Sequence, residues 1–116
     1  KALLFLYKLK ALRDRAFDLK TRGAVMSAER REWMQGKVEK DGADLIALLN
    51  PKPERYMVRE ELGYKLLKEL IERQNLQFAL KSLNELPNMK KSLEIHGSIS
   101  QKSVEQWVGV LFENLK

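Results

Sequence analysis

The sequence has no cysteine and a single histidine, and both shortages limit the chemistry open to it. Without cysteine the chain can form no disulfide, no thiolate metal site and no thiol nucleophile, which agrees with a reducing compartment. His96 has Glu94 two positions away, a spacing that puts the two side chains on different faces of a helix, so they form no acid–base pair. We therefore predict an intracellular protein, cytoplasmic or nuclear, with no catalytic residue.

Long apolar runs and ligand-binding motifs are also missing. The longest uninterrupted apolar run is Ala2 to Tyr7, far short of the roughly 18 to 20 residues that span a bilayer, so we predict no transmembrane segment. The sequence has no glycine-rich phosphate loop, no H-E-x-x-H zinc motif and no EF-hand loop. These absences predict a protein that is not an enzyme and binds no metal and no cofactor. Because the chain opens on Lys1 with the apolar run already under way, we expect it to be part of a larger protein.

The residues that are abundant are those of a folded helical domain. Hydrophobic residues make up 44% of the chain and charged residues 33%, with only six glycines and three prolines. A chain of 116 residues is long enough to bury one core. Apolar positions recur at three- and four-residue intervals, and no segment alternates apolar and polar residues over the length of a strand. We predict a single all-α domain over residues 1–116, a compact bundle of five to six helices with an antiparallel helical hairpin in its second half.

Helix boundaries follow from capping residues, glycines and prolines. Ser27 and Ser100 are suitable N-caps, and Asn88 can cap a short helix. The Asp41-Gly42 pair could split the second helix, with Asp41 capping its second part, although we favour one interrupted helix. The predicted helices are Ala2–Arg22, Ala28–Leu49, Pro53 to about Arg73–Asn75, Leu76–Leu86 stopped by Pro87, a short segment ending near Ile95, and a last helix after Ser100.

Positive charge is concentrated at the beginning of the chain. Residues 1–22 carry seven basic groups and two aspartates, a net charge of +5, while the whole chain is +6. Lys8, Arg15 and Arg22 are spaced seven residues apart and therefore lie on one helix face. This face could bind nucleic-acid phosphates, anionic lipid or an acidic protein, or it could be a solvated face that binds nothing.

Further cations and one tryptophan complete the candidate surface. Trp33 follows the densely charged stretch from Glu29 to Glu32, so we expect it to be partly exposed and open to a partner. Trp107 lies in the apolar stripe of the last helix, so we expect it in the core. The candidate partner-binding residues are Lys8, Arg15, Arg22, Arg30, Arg31, Trp33, Lys90 and Lys91.

These observations predict a non-enzymatic protein–protein interaction or assembly module. The first helix is apolar on nearly every side over Ala2–Tyr7, so this stretch is expected to contact a partner protein or a second copy of the chain. The alternative is an accessory nucleic-acid-binding domain that uses the basic face of the first helix. Its sequence preference would be slight, because no recognition-helix pattern puts Arg, Asn or Gln at base-reading positions.

Overall fold

The computed structural model describes residues 2–50, 61–95 and 97–116, and over these ranges the chain is helical, with no β-strand. The α-helices are α1 (Ala2–Arg22), α2 (Ala28–Leu49), α3 (Glu61–Gln74), α4 (Lys90–Ile95) and α5 (Gln101–Asn114), and the 3-10 helices are η1 (Gly23–Val25) and η2 (Gln77–Asn88). The predicted all-α bundle is confirmed. The predicted helix start at Pro53 and the single histidine, His96, lie outside the described residues.

Helix α1 contributes one face to the apolar core. Its buried side chains are Phe5, Leu6, Leu9 and Leu12. They recur at intervals of one, three and three residues, so they share one face, and this face packs against α2, α3 and η2. The same core continues into α4 and α5, where Trp107 is partly buried at its edge, so the predicted core position of Trp107 is met only in part. Full burial of one leucine or phenylalanine side chain stabilises the fold by about 1.5 to 3 kcal/mol.

Capping interactions fix the ends of several helices. Ser27 and Ser100 cap α2 and α5 as predicted, since each hydroxyl accepts a 3.1 Å hydrogen bond from the backbone N–H three residues later. Helix α3 ends in a Schellman motif, in which Asn75 adopts a left-handed φ of 58° and the Leu76 N–H donates to the Ile71 carbonyl at 3.0 Å. The predicted end of the third helix near Arg73 to Asn75 is therefore confirmed.

The segment after α3 differs from its prediction. Of the residues predicted as a helix over Leu76–Leu86, Leu76 precedes the 3-10 helix η2 and the rest belong to it, and Pro87 lies inside η2 instead of stopping it. Apolar residues at intervals of three and four occur in both α-helices and 3-10 helices, so this spacing does not distinguish the two helix types. Asn88 belongs to η2, and its Oδ1 accepts a 2.9 Å hydrogen bond from Gln101 Nε2, which links η2 to α5.

Helix α2 runs without a break through Asp41 and Gly42, so the split into two helices does not occur. The glycine allows a close approach between helices: a Cβ at this position would lie 2.7 Å from Met89 Cε and 2.7 Å from Ser92 Oγ. Ser92 is buried and its hydroxyl donates to the Glu39 carbonyl at 2.6 Å. The start of α4 therefore lies directly against the backbone of α2.

We predict that Gly42→Ala destabilises the fold by up to about 2 kcal/mol, whereas Gly36→Ala stabilises it by up to about 1 kcal/mol. Both positions lie in α2, where alanine is favoured over glycine by about 1 kcal/mol. Nothing lies within 4 Å of a Cβ at Gly36, but at Gly42 the new methyl group must displace Met89 and Ser92. Urea unfolding measures both changes. Equal effects would contradict the close packing of α4 on α2.

Candidate functional site

Four charged side chains join α1 to α2, and Lys40 of α2 pairs with one of them. We call all five the α1–α2 ion-pair network: Lys8, Arg15, Lys40, Asp41 and Asp44. Lys8 Nζ lies 2.9 Å from Asp44 Oδ2 and 3.6 Å from Asp41 Oδ1. The Arg15 guanidinium donates to Asp41 Oδ2, and Lys40 Nζ lies 3.1 Å from Asp44 Oδ2. The Asp41 side chain is only 6% exposed. A carboxylate at this depth is tolerated because cations pair with it.

The network uses two of the three cations on the predicted basic face of α1. The hydrogen bond to Asp44 raises the pKa of the Lys8 ammonium above its ordinary value. Partial burial lowers this pKa, whereas the attraction of the Asp44 and Asp41 carboxylates raises it further. The third cation is also paired, since Arg22 Nε lies 3.1 Å from Asp18 Oδ1 within α1. Each cation of that face therefore has a carboxylate partner in the fold. Its role in binding a partner stays a prediction.

Sequence reasoning missed the acidic half of this network. Asp41 is 26 residues from Arg15 in the chain, so no local pattern connects them. One signal in the sequence could have indicated this network. Asp41 and Asp44 are three residues apart and lie on one face of α2, where they can pair with the cations of a neighbouring helix.

Arg31 has a structural role at the turn between α1 and α2. Its Nε donates to the Gly23 carbonyl at 2.8 Å, and its Nη2 donates to the Met26 carbonyl at 3.2 Å. The backbone carbonyls at both ends of η1 are therefore bonded by one side chain that reaches back from the first turns of α2.

Trp33 is 55% exposed, which confirms the expected partial exposure. Lys37 Nζ lies 5.5 Å from the centre of its ring, within the range of a cation–π contact. The ring also lines a shallow depression of about 450 Å³ together with Ser27, Glu29 and Arg30. An exposed indole beside cations can meet either an apolar or an anionic partner.

Lys90 and Lys91 are exposed at the start of α4 and face a shallow groove beside α2. Two connected depressions of about 460 and 450 Å³ share Gln35, Glu39 and Lys91 in their walls. The eight predicted residues thus lie in three places: the ion-paired face of α1, the first turns of α2, and this groove.

Two phenylalanine rings and one arginine form a contact that the sequence did not suggest. The Arg13 guanidinium carbon lies 4.8 Å from the ring centre of Phe17 and 4.7 Å from that of Phe78. The cation lies over both rings and connects α1 to η2. Arg13 therefore occupies part of the ring surface that a stacking ligand would need.

A further surface consists of apolar side chains at the beginning of α1. Leu3, Leu4 and Tyr7 are 40%, 46% and 58% exposed, although the opposite face of the same turns is core. Leu4 also lines a cavity of about 310 Å³ with Ala47 and Leu48 of α2, bordered by Lys8 and Asp44. We call Leu3, Leu4 and Tyr7 the α1 apolar surface.

The described residues hold no metal-binding cluster and no membrane-spanning helix. Over residues 2–50, 61–95 and 97–116, no group of three or more acidic or histidine side chains is arranged to hold a metal ion. No described helix combines the length and the apolar character that crossing a bilayer requires. No protein-family model, no curated protein and no solved structure matches the chain.

We predict that Asp41→Asn destabilises the fold by about 1.5 to 3 kcal/mol. The substitution removes the carboxylate that accepts from Arg15 and leaves Lys8 with Asp44 alone. A hydrogen bond to a charged group contributes more than a neutral one, so the loss should be measurable by urea unfolding.

Asp14→Asn is the matched control on the outer side of α1. Asp14 pairs with Lys10 at 2.9 Å and with Arg13 at 3.2 Å, and its side chain is 43% exposed. Exposed pairs contribute about 0 to 1 kcal/mol. If Asp14→Asn costs as much stability as Asp41→Asn, the buried network does not hold α1 against α2.

Proposed function

We propose that this chain is a non-enzymatic helical module whose α1 apolar surface binds another protein chain, in the simplest case a second copy of itself. The observation that supports the proposal is the exposure of Leu3, Leu4 and Tyr7 on a helix whose other face is fully used by the core. Neighbouring apolar side chains in one exposed patch are typical of protein contacts.

The surroundings of the α1 apolar surface also suit a protein contact. The cavity beside Leu4 is walled by Ala47 and Leu48, so an apolar side chain of a partner would find apolar neighbours there. The Lys8–Asp44 ion pair lies at its border. An apolar centre with a polar rim is the usual composition of a protein–protein interface.

Sedimentation velocity over a series of protein concentrations tests this proposal. The wild-type chain is expected to associate as its concentration rises, and Leu4→Glu is expected to abolish association because a carboxylate cannot be buried in an apolar contact without a partner. Leu66→Glu on α3 is the matched control, because Leu66 is 48% exposed and Leu4 is 46% exposed. Circular dichroism confirms that both variants are folded.

Two outcomes would contradict the proposal in this form. The first is a wild-type chain that stays monomeric at every concentration. The second is equal loss of association in Leu4→Glu and Leu66→Glu, which would move the contact away from α1.

Nucleic-acid binding is the second candidate function, and unpaired surface charge favours it. The chain carries +6. Arg30, Lys90 and Lys91 are exposed and make no ion pair among the described residues. Lys8 and Arg15 are already paired, so we move the proposed phosphate contacts from α1 to these three cations.

A binding titration with a generic duplex and a single strand at low and moderate salt tests this candidate. Changing Arg30, Lys90 and Lys91 together to Gln should reduce the salt slope by up to about three units, one for each lost phosphate contact. Changing Lys65 and Lys68 of α3 to Gln is the control. Absence of binding to either nucleic acid at low salt would eliminate this function.

A further inference from the structure

The connection between α1 and α2 is the most exposed part of the described chain. From Lys20 to Trp33, Gly23 is the only buried residue and Met26 is partly buried. Val25 is 85% exposed, the highest value among the exposed large hydrophobic side chains of the described residues. We call residues 20–33 the hairpin tip. An apolar side chain that the fold leaves in water is available to an apolar medium outside the chain.

Several backbone groups of the hairpin tip are already hydrogen-bonded within the chain. Arg31 donates to the carbonyls of Gly23 and Met26, and the Met26 N–H donates to the Gly23 carbonyl at 3.3 Å. The Ser27 hydroxyl caps the first turn of α2. Polar backbone groups without partners oppose transfer out of water, so these bonds lower the cost of moving Val25 into an apolar environment.

The charges near Val25 favour an anionic environment. The hairpin tip carries four cations, Lys20, Arg22, Arg30 and Arg31, against the two carboxylates of Glu29 and Glu32. Arg22 pairs with Asp18 and Arg31 donates to two backbone carbonyls, so Lys20 and Arg30 are the two that make no ion pair or side-chain hydrogen bond to a carbonyl among the described residues. Trp33 completes this set, because an exposed indole is the side chain best suited to the boundary between lipid headgroups and acyl chains. A nucleic acid would meet the cations through its phosphates, but it would have to open a groove or unstack its bases to bury an exposed valine.

We propose that the hairpin tip binds the surface of an anionic lipid bilayer, with Val25 entering the acyl boundary, Lys20 and Arg30 contacting headgroup phosphates, and Trp33 lying at the interface. An apolar anchor combined with basic side chains is the usual requirement for reversible attachment to such a surface. This inference uses residues outside the α1 apolar surface and goes beyond the protein association proposed above.

Co-sedimentation of the full chain with lipid vesicles tests the proposal. The chain is expected to bind vesicles of phosphatidylcholine mixed with phosphatidylserine and to bind pure phosphatidylcholine much more weakly. Val25→Glu should lower the partition coefficient at least about tenfold, because it removes the apolar anchor and adds a negative charge. Val110→Glu on α5 is the matched control, since Val110 is 52% exposed and far along the chain from the tip. Circular dichroism shows that both variants remain folded.

Two further measurements separate the contributions of charge and apolar insertion. Lys20→Gln and Arg30→Gln should each weaken binding to the anionic vesicles about fivefold, while Lys65→Gln should not. Binding should shift tryptophan emission to shorter wavelength, and Trp33→Phe should remove this shift, since Trp107 is packed against the core.

The outcomes decide between lipid and other partners. Unchanged vesicle binding in Val25→Glu, equal binding to both vesicle types, or an emission shift that persists in Trp33→Phe would each overturn the proposal. Binding of a single strand that needs Arg30 but not Val25, without vesicle binding, would also overturn it in favour of nucleic acid. Leu4→Glu should leave vesicle binding intact, so failure of the protein-association proposal is distinguishable from failure of this one.

Discussion

The buried carboxylate of Asp41 is the constraint on which the packing of α1 against α2 depends. A carboxylate at this depth is unfavourable unless cations of the same fold pair with it, and α1 supplies two of them, Arg15 and Lys8. Sliding α2 along α1 by one helical turn, roughly 5.4 Å, would separate Asp41 from Arg15. Removing one partner of such a network is costly because it leaves the other charges without their partner, although replacing the whole network by packed apolar residues can be nearly neutral. The network therefore acts mainly on the register of the two helices.

The residue after Asp41 makes the second contact that α2 needs. Neighbouring residues on a helix point about 100° apart, so Asp41 faces α1 while Gly42 contacts Ser92 of α4 and Met89, the residue before α4. An Asp-Gly pair is locally a turn signal, and for that reason the sequence left open whether the second helix is divided. In the folded chain both residues make tertiary contacts inside a continuous helix, and these contacts override the local preference for a turn.

The sequence predicted those features that depend on residues close together in the chain. The bounds of α1 and α2 and the caps at Ser27 and Ser100 follow from residues a few positions apart, and all of them agree with the structure. The winding of η2 was not predictable, because its apolar spacing suits two helix types. The candidate basic face was found from the charges of α1, but the carboxylates that pair with Lys8 and Arg15 come from a distant segment. Counting the charged residues along a sequence does not show which of them form ion pairs in the fold.

The pairing of α1 changes where the chain can meet other molecules. The net charge of +5 on residues 1–22 is real, but part of it is offset at short range by Asp41 and Asp44. The surfaces that remain lie at opposite ends of α1: the α1 apolar surface at its start and the hairpin tip beyond its end. Eighteen residues of helix separate Leu4 from Arg22, a distance of roughly 27 Å. The two proposed contacts are therefore centred on separate surfaces of the chain, and a substitution in one leaves the residues of the other in place.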